Sequence, residues 1–289
     1  MEDISTRLRK YDFFKKMDFE INSLVPENYR NGKVFLLRNL EDKAVYKVRL
    51  KHPLFPNTVK KELRILKYIS QYPGANNFPE IIYTDGNEEV MVTTYFEGMA
   101  LNECGHFSQA KKNEIVGKLE DKLKILHSMY SPVKDIINNR DFASWYECLK
   151  LMFGSYITKI KEHNLLNESN EYFIYNFLEM NRDYLENVKN SVIHGDLKDA
   201  NIIYNPQTED VFVIDFESGK IGDPMFDTYR IYRDGWGYKE EYDRNPVYVL
   251  YALHLSLRWI TYHLAKGIPI EQRQFEMLGI YLSLAKQLV

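Results

Sequence analysis

Hydrophobic and polar positions change rhythm along this chain, alternating strand-like before about residue 97 and helix-like beyond it. The apolar run Gly32-Lys33-Val34-Phe35-Leu36-Leu37, a polar turn from Asn39 to Asp42, and Ala44-Val45-Tyr46-Lys47-Val48-Arg49-Leu50 predict a β-hairpin. In its second strand, side chains alternate between faces, so Tyr46 and Val48 share one face and Val45, Lys47 and Arg49 the other. Beyond Pro53 and Pro56, Val59, Leu63, Leu66 and Ile69 repeat at helical intervals, which predicts a helix from Thr58 to Ile69 with Glu62 beside its apolar stripe. Pro73-Gly74 ends it. Ile81 to Tyr83, a turn at Asp85-Gly86, and Val90 to Phe96 predict two further strands, and Gly98 closes the strand-rich portion.

From Ser108 the apolar residues Ile115, Leu119, Leu123 and Leu126 recur at helical spacing. The stretches Asp141 to Leu165, Glu171 to Val188 and Val247 to Leu288 carry the same mixed three and four spacing. One island interrupts them: Val192-Ile193, a polar loop opening at His194, Ile202-Ile203-Tyr204, a turn at Asn205-Pro206, and Val211 to Asp215. Short strands therefore bracket a polar loop. The stretch from Glu97 to Gly105 suits a hinge better than a free tether, and two lobes are expected, residues 1–97 and 98–289.

Composition narrows the class without naming it. The chain has 289 residues, 45% hydrophobic and 27% charged, as in an ordinary globular protein, and no apolar run reaches membrane length. Its 38 basic residues against 41 acidic ones, with no long block of either sign, make nucleic acid an unsuitable main partner. The first eighteen residues alternate charged and aromatic side chains, unlike a signal or transit peptide, so a cytoplasmic protein without a membrane partner is expected. Cys104 and Cys148 form no Cys-x-x-Cys pair and read as packing residues.

The chemistry concentrates in His194-Gly195-Asp196-Leu197-Lys198-Asp199-Ala200-Asn201 and in Asp215 after the next apolar strand. Phosphoryl transfer needs a carboxylate to orient and deprotonate an attacking hydroxyl, and oxygen ligands that hold Mg²⁺ against the phosphates. Asp196 supplies the first, and Asn201 with Asp215 the second. Asp or Asn alone is commonly only a turn residue; the joint spacing and the flanking strands select the catalytic reading.

Together with Ile214-Asp215-Phe216-Glu217 and Gly222-Asp223-Pro224-x-x-Asp227, this loop resembles the aminoglycoside phosphotransferase and choline kinase superfamily. Protein kinases instead place Arg after the loop His and Gly after Asp-Phe, where this chain has Gly195 and Glu217. The resemblance implies an α+β, bilobal protein-kinase-like fold: an N-terminal nucleotide-binding lobe of antiparallel sheet plus helix, and a larger, mainly helical C-terminal lobe for catalysis and substrate. It implies ATP as phosphate donor, with GTP left open, and Mg²⁺. It further implies Lys47 as phosphate-contacting cation with Glu62 as its helical partner, and a hinge at Thr93 to Gly98 whose backbone near Thr94 and Phe96 reads the purine. His194 and Asp227 become supports of the catalytic loop, and Glu217 a neighbour of the metal site. Only Gly32 stands where a glycine-rich loop would cover the phosphates.

Two classes of function follow. The first is an enzyme that phosphorylates a hydroxyl of a small molecule: an aminoglycoside, a choline-like or ethanolamine-like amino alcohol, or a sugar. Asp234, Trp236 and Tyr238, with nearby acids, are candidate contacts for a cationic acceptor; Trp259 and Tyr262 read as core. The second is a kinase-like module, weak in catalysis, that acts on or regulates a protein. Oligomeric state is left open.

Overall fold

The computed structural model describes residues 4–23, 33–51, 56–135, 140–233, 236 and 240–289. In chain order it runs α1 (Ile4–Leu8), α2 (Asp12–Lys15), β1 (Phe19–Ser23), β2 (Lys33–Asn39), β3 (Val45–Leu50), α3 (Thr58–Ile69), β4 (Ile81–Thr84), β5 (Val90–Thr94), β6 (Met99–Ala100) and α4 (Gln109–His127). It continues with β7 (Lys134–Asp135), β8 (Arg140–Asp141), α5 (Trp145–Lys161), α6 (Glu168–Met180), α7 (Arg182–Asn187), β9 (Ser191–Ile193), β10 (Ile202–Tyr204), β11 (Val211–Val213) and β12 (Lys220–Gly222). The last helices are α8 (Met225–Arg233), α9 (Pro246–Lys266) and α10 (Gln272–Gln287).

The chain forms two compact units, Met1–Met129 with Ile136–Asn138 and His194–Lys220, and Tyr130–Asp135 with Asn139–Ile193 and Ile221–Val289. The segment His194–Lys220 thus belongs to the same unit as the N-terminal strands.

In the first unit, five antiparallel strands lie in the order β1-β2-β3-β5-β4. The predicted hairpin is β2 and β3, with Leu36 opposite Lys47 and Leu37 opposite Tyr46. Period-2 alternation gives β3 two chemically distinct faces. Val48 and Leu50 join Phe35, Leu37, Val90 and Val92 in a core capped by Leu8 and Phe14, all buried. The short N-terminal helices therefore seal one face of the sheet. Arg49, on the opposite face, is equally buried.

Helix α3 spans the predicted residues, and its stripe of Val59, Leu63, Leu66 and Ile69 is buried. Each such side chain contributes on the order of 2 kcal/mol relative to exposure. Glu62, one step round from that stripe, is fully buried as well, despite Lys60, Lys61, Arg64 and Lys67 on the same helix. The strands β6, β10 and β11 form a small antiparallel sheet that frames the polar loop on its C-terminal side.

The second unit is chiefly helical. Trp145, Leu149 and Phe153 of α5, Ile174 and Phe177 of α6, and most of the first four turns of α9 make its core. Within it Asp223 is buried and fully engaged: Tyr184 and Tyr251 donate their hydroxyls to Oδ2, Met225 N–H donates to Oδ1, and Trp145 Nε1–H donates to the Tyr251 oxygen. Cys104 is buried and Cys148 packs against the helical core, both as free thiols. No helix among the described residues is long and apolar enough to cross a membrane.

Candidate active site

The loop after β9 owes its shape to Gly195. Its φ is +75°, and a Cβ there would lie 2.3 Å from the Ser218 carbonyl oxygen, so a side chain is excluded by backbone conformation and by space. His194 is buried and spans two backbone groups. Its Nε2 lies 2.8 Å from the Ile214 carbonyl oxygen, while the Asp196 N–H donates to Nδ1 at 3.3 Å. A carbonyl can only accept, so Nε2 carries the proton and the ring is the neutral tautomer. The ring thus ties the start of the loop to the backbone of Ile214.

Asn201 is buried, and its Nδ2 donates to the Asp196 carbonyl oxygen at 2.9 Å. That bond commits the amide nitrogen and leaves Oδ1 as the acceptor end of the side chain. Ile214 N–H donates to the Asn201 backbone carbonyl at 3.0 Å, which joins the loop to the segment carrying Asp215. The Asp196 carboxylate is partly exposed, with Lys198 Nζ 3.6 Å from its Oδ2.

Asp215 sits in the left-handed region, φ 68° and ψ 64°, a conformation that non-glycine residues adopt only when the surroundings impose it. What holds it is Arg49. The Arg49 Nη2 lies 2.7 Å from Asp215 Oδ1, its Nη1 2.8 Å from Glu217 Oε2, and its Nε 2.8 Å from Glu62 Oε2. The Nε contact is close but not aligned as a hydrogen bond, so it acts as a charge contact. One buried guanidinium thus gathers three carboxylates from α3 and from the segment after β11.

Lys47 lies on the same face of β3, with Nζ 3.5 Å from Glu62 Oε1 and more of its side chain exposed. The expected Lys47–Glu62 pair is present, but it is the longer of the two contacts on Glu62. Arg49 is the residue that the sequence reading missed. The only signal for it was its place two residues along from Lys47, on the same face.

The charges set the acidities. Burial alone would raise Asp215, but the positive charges of Arg49 and then Lys47 outweigh it and hold its carboxyl well below the usual range. Glu217 goes the other way: burial, reinforced by the negative charge of Asp215, pushes it up to about 7, with Arg49 opposing. For Arg49, burial is overcome by Asp215, Glu62 and Glu217, and its guanidinium is held more firmly protonated than usual.

At the expected hinge, Thr94 Oγ1 accepts from Glu80 N–H at 3.0 Å and Phe96 stacks on Phe212, centroids 4.2 Å apart. Both side chains are committed to protein contacts. Asp227, in the second unit, is fully buried on α8, and Trp236 is buried too. Asp234 and Tyr238, along with the loop from Asn28 to Gly32, lie outside the described residues.

Oxygen donors suit Mg²⁺, and the carboxylate of Asp215 with the amide oxygen of Asn201 fits that requirement. Among the described residues there is no cluster of three or more His, Cys, Asp and Glu that could hold a metal by itself. A two-ligand site completed by phosphate oxygens and water is how Mg²⁺ is commonly held beside nucleotides.

Comparison with known proteins agrees with this geometry. No curated protein matches the chain by sequence. Among solved structures, the ADP-bound aminoglycoside phosphotransferase APH(2'')-Ib superposes with TM-score 0.68 at 16% identity, covering 100% of both chains. A ternary complex of a thermostable aminoglycoside phosphotransferase APH(4)-Ia mutant with ADP and hygromycin B gives TM-score 0.67 at 11% identity, over 99% of this chain and 97% of that one. A choline/ethanolamine kinase family protein from Mesorhizobium loti gives 0.63 at 15%, over 99% and 93%. These likenesses establish the kinase-like fold. The sequence profile of the phosphotransferase enzyme family matches residues 26–248, a span that includes the Arg49 clamp and the whole catalytic loop, and the chain accordingly belongs to that family and is a phosphotransferase.

Proposed function

We propose that this enzyme transfers the γ-phosphate of ATP to a hydroxyl group of a small molecule. Residues 1–97 would serve the nucleotide and 98–289 catalysis and the acceptor. The observation that carries the reading is the set of hydrogen bonds that fixes Asp196, Asn201 and Asp215 through His194 and Ile214, with Lys47 and Arg49 as the neighbouring cations.

Asp196 would accept the proton of the attacking hydroxyl. Its backbone is fixed by His194 and Asn201, so the carboxylate is oriented before substrate arrives. Asp215 and Asn201 would hold Mg²⁺, which when bound neutralises charge on the phosphate oxygens. Because Asp215 is held ionised, it is ready as a metal ligand throughout the neutral range. Lys47, the more exposed of the two cations, would contact the phosphates, while Arg49 fixes the carboxylates around it.

A single-turnover assay with labelled ATP and Mg²⁺ tests this against a panel of aminoglycosides, amino alcohols and sugars. Phosphate should appear on at least one acceptor. A wild-type enzyme that labels none of them and binds no Mg-ATP would refute the reading.

A further inference from the structure

Three carboxylates converging on one point would ordinarily draw a divalent cation. Here the point is taken by the Arg49 guanidinium, with Glu62 Oε2 and Glu217 Oε2 each 2.8 Å away and Asp215 Oδ1 2.7 Å away. All four residues belong to the same compact unit. Only 3% of the Arg49 side chain is exposed, and a guanidinium does not give up its proton, so its charge is a permanent part of the site. Stability is a weak reason for such a cluster, because apolar side chains of similar volume would serve as well.

Few oxygens are left for a metal. Both oxygens of Glu62 face cations, Oε1 the Lys47 ammonium at 3.5 Å and Oε2 the guanidinium. Arg49 Nη1 donates to Glu217 Oε2, and Nη2 donates to Asp215 Oδ1. Asp215 Oδ2 accepts no hydrogen bond from the described residues, and 30% of that side chain is exposed. Asn201 Oδ1 is the other oxygen left over, its amide nitrogen being held by the Asp196 carbonyl.

Two divalent ions in one phosphoryl-transfer site lie about 3.5–4 Å apart. A carboxylate that serves both must offer each an oxygen, and Asp215 has only Oδ2 to offer. A second ion on Asp215 Oδ1 or Glu217 Oε2 would have to sit against the buried guanidinium or drive it from its partners.

We infer that Arg49 takes the place of a second metal ion, so that the enzyme works with one divalent cation per nucleotide, held through Asp215 Oδ2 and Asn201 Oδ1. The inference rests on the proposed phosphotransfer site and adds to it the number of ions and the residue that sets that number.

Equilibrium dialysis of the full chain against Mn²⁺ and a saturating non-hydrolysable ATP analogue tests it, with ion and nucleotide both counted per chain. Mn²⁺ takes the same oxygen ligands as Mg²⁺. The expected count is one ion with one nucleotide. Two ions with one nucleotide would overturn the inference and leave the proposed function standing, whereas no nucleotide retained would overturn both. Arg49→Ala opens the space between the three carboxylates and should retain two ions; a folded variant that retains only one would also overturn the inference. Should Arg49→Ala not fold, the wild type supplies a second measurement. The calorimetric Kd of the analogue's Mg²⁺ complex should stay constant as free Mg²⁺ rises from about 1 to about 10 mM, since only an ion bound by the complex could tighten it, by up to about tenfold. A tightening of about threefold or more would overturn the inference.

Discussion

Replacing Arg49 with Met should destabilise the protein more than any other single change among the site's cations. In the wild type, the guanidinium lies within 2.8 Å of carboxylate oxygens from Glu62, Asp215 and Glu217. Met keeps much of the volume and removes the charge, leaving three carboxylates with Lys47 at 3.5 Å from one of them. Taking one partner from a buried ionic cluster costs about 3–5 kcal/mol. The cost depends on pH with a defined sign. Glu217 already titrates near 7 in the folded protein, above its ordinary 4.5, and loss of the opposing Arg49 charge raises it further. A carboxyl whose folded pKa is raised contributes most below its unfolded pKa and loses that contribution as pH rises through the folded value. The Arg49→Met penalty should therefore be largest near pH 8 and shrink by about 1–2 kcal/mol towards pH 5, as the orphaned carboxylates take up protons. Urea unfolding of both proteins at the two pH values measures it. A penalty under about 1 kcal/mol at pH 8, or one that grows on acidification, would refute the clamp. Lys47→Met, which removes only a 3.5 Å contact, should cost about 1 kcal/mol or less.

Three further outcomes follow from the same geometry. Gly195→Ala places a Cβ 2.3 Å from the Ser218 carbonyl oxygen at a φ of +75°, and should cost at least about 2 kcal/mol and most of the activity; wild-type Tm and rate would contradict this. His194→Gln should lower stability by about 1–3 kcal/mol through the unpaired Ile214 carbonyl, yet leave the pKa of the pH–rate profile in place, because the ring is a brace; disappearance of the acidic limb would make it a base instead. For Glu217→Gln, the wild type should lose stability relative to the variant as pH rises from 4.5 to about 7, read as diverging Tm values; parallel curves would show that Glu217 is not buried as a strained acid.

Much of this fold was written in periodicity. The β2–β3 hairpin and α3 emerge as read, because their apolar positions repeat with periods that only one geometry buries. The loop from His194 to Asn201 was legible for a different reason: its residues are chemically unusual together, and Gly195 is needed where it stands. Arg49 was not legible. Alternation placed Lys47 and Arg49 on one face, but which of two cations reaches deepest depends on how α3 and the Asp215 segment close over the sheet, a tertiary property. The same limit hid the burial of Glu62, whose sequence neighbours suggest a solvated helix face. Helix endings were blurred too. Val247 to Leu288 reads as one helical stretch, yet α9 stops at Gly267, φ 62°, and Pro269 precedes a new capped helix. The helices α1 and α2 are too short to show a period, and they matter through Leu8 and Phe14, with Ile4 and Phe13 packed beside them.

The most direct test of the account pairs wild type with Asp196→Asn in two measurements, Mg-ATP affinity and single-turnover phosphate transfer to an acceptor identified from the panel. A positioned general base contributes about 10²–10⁴ in rate. The account predicts transfer reduced by that factor with Mg-ATP affinity within about twofold of wild type. Transfer at the wild-type rate in Asp196→Asn, or an equal collapse of nucleotide binding, would contradict it.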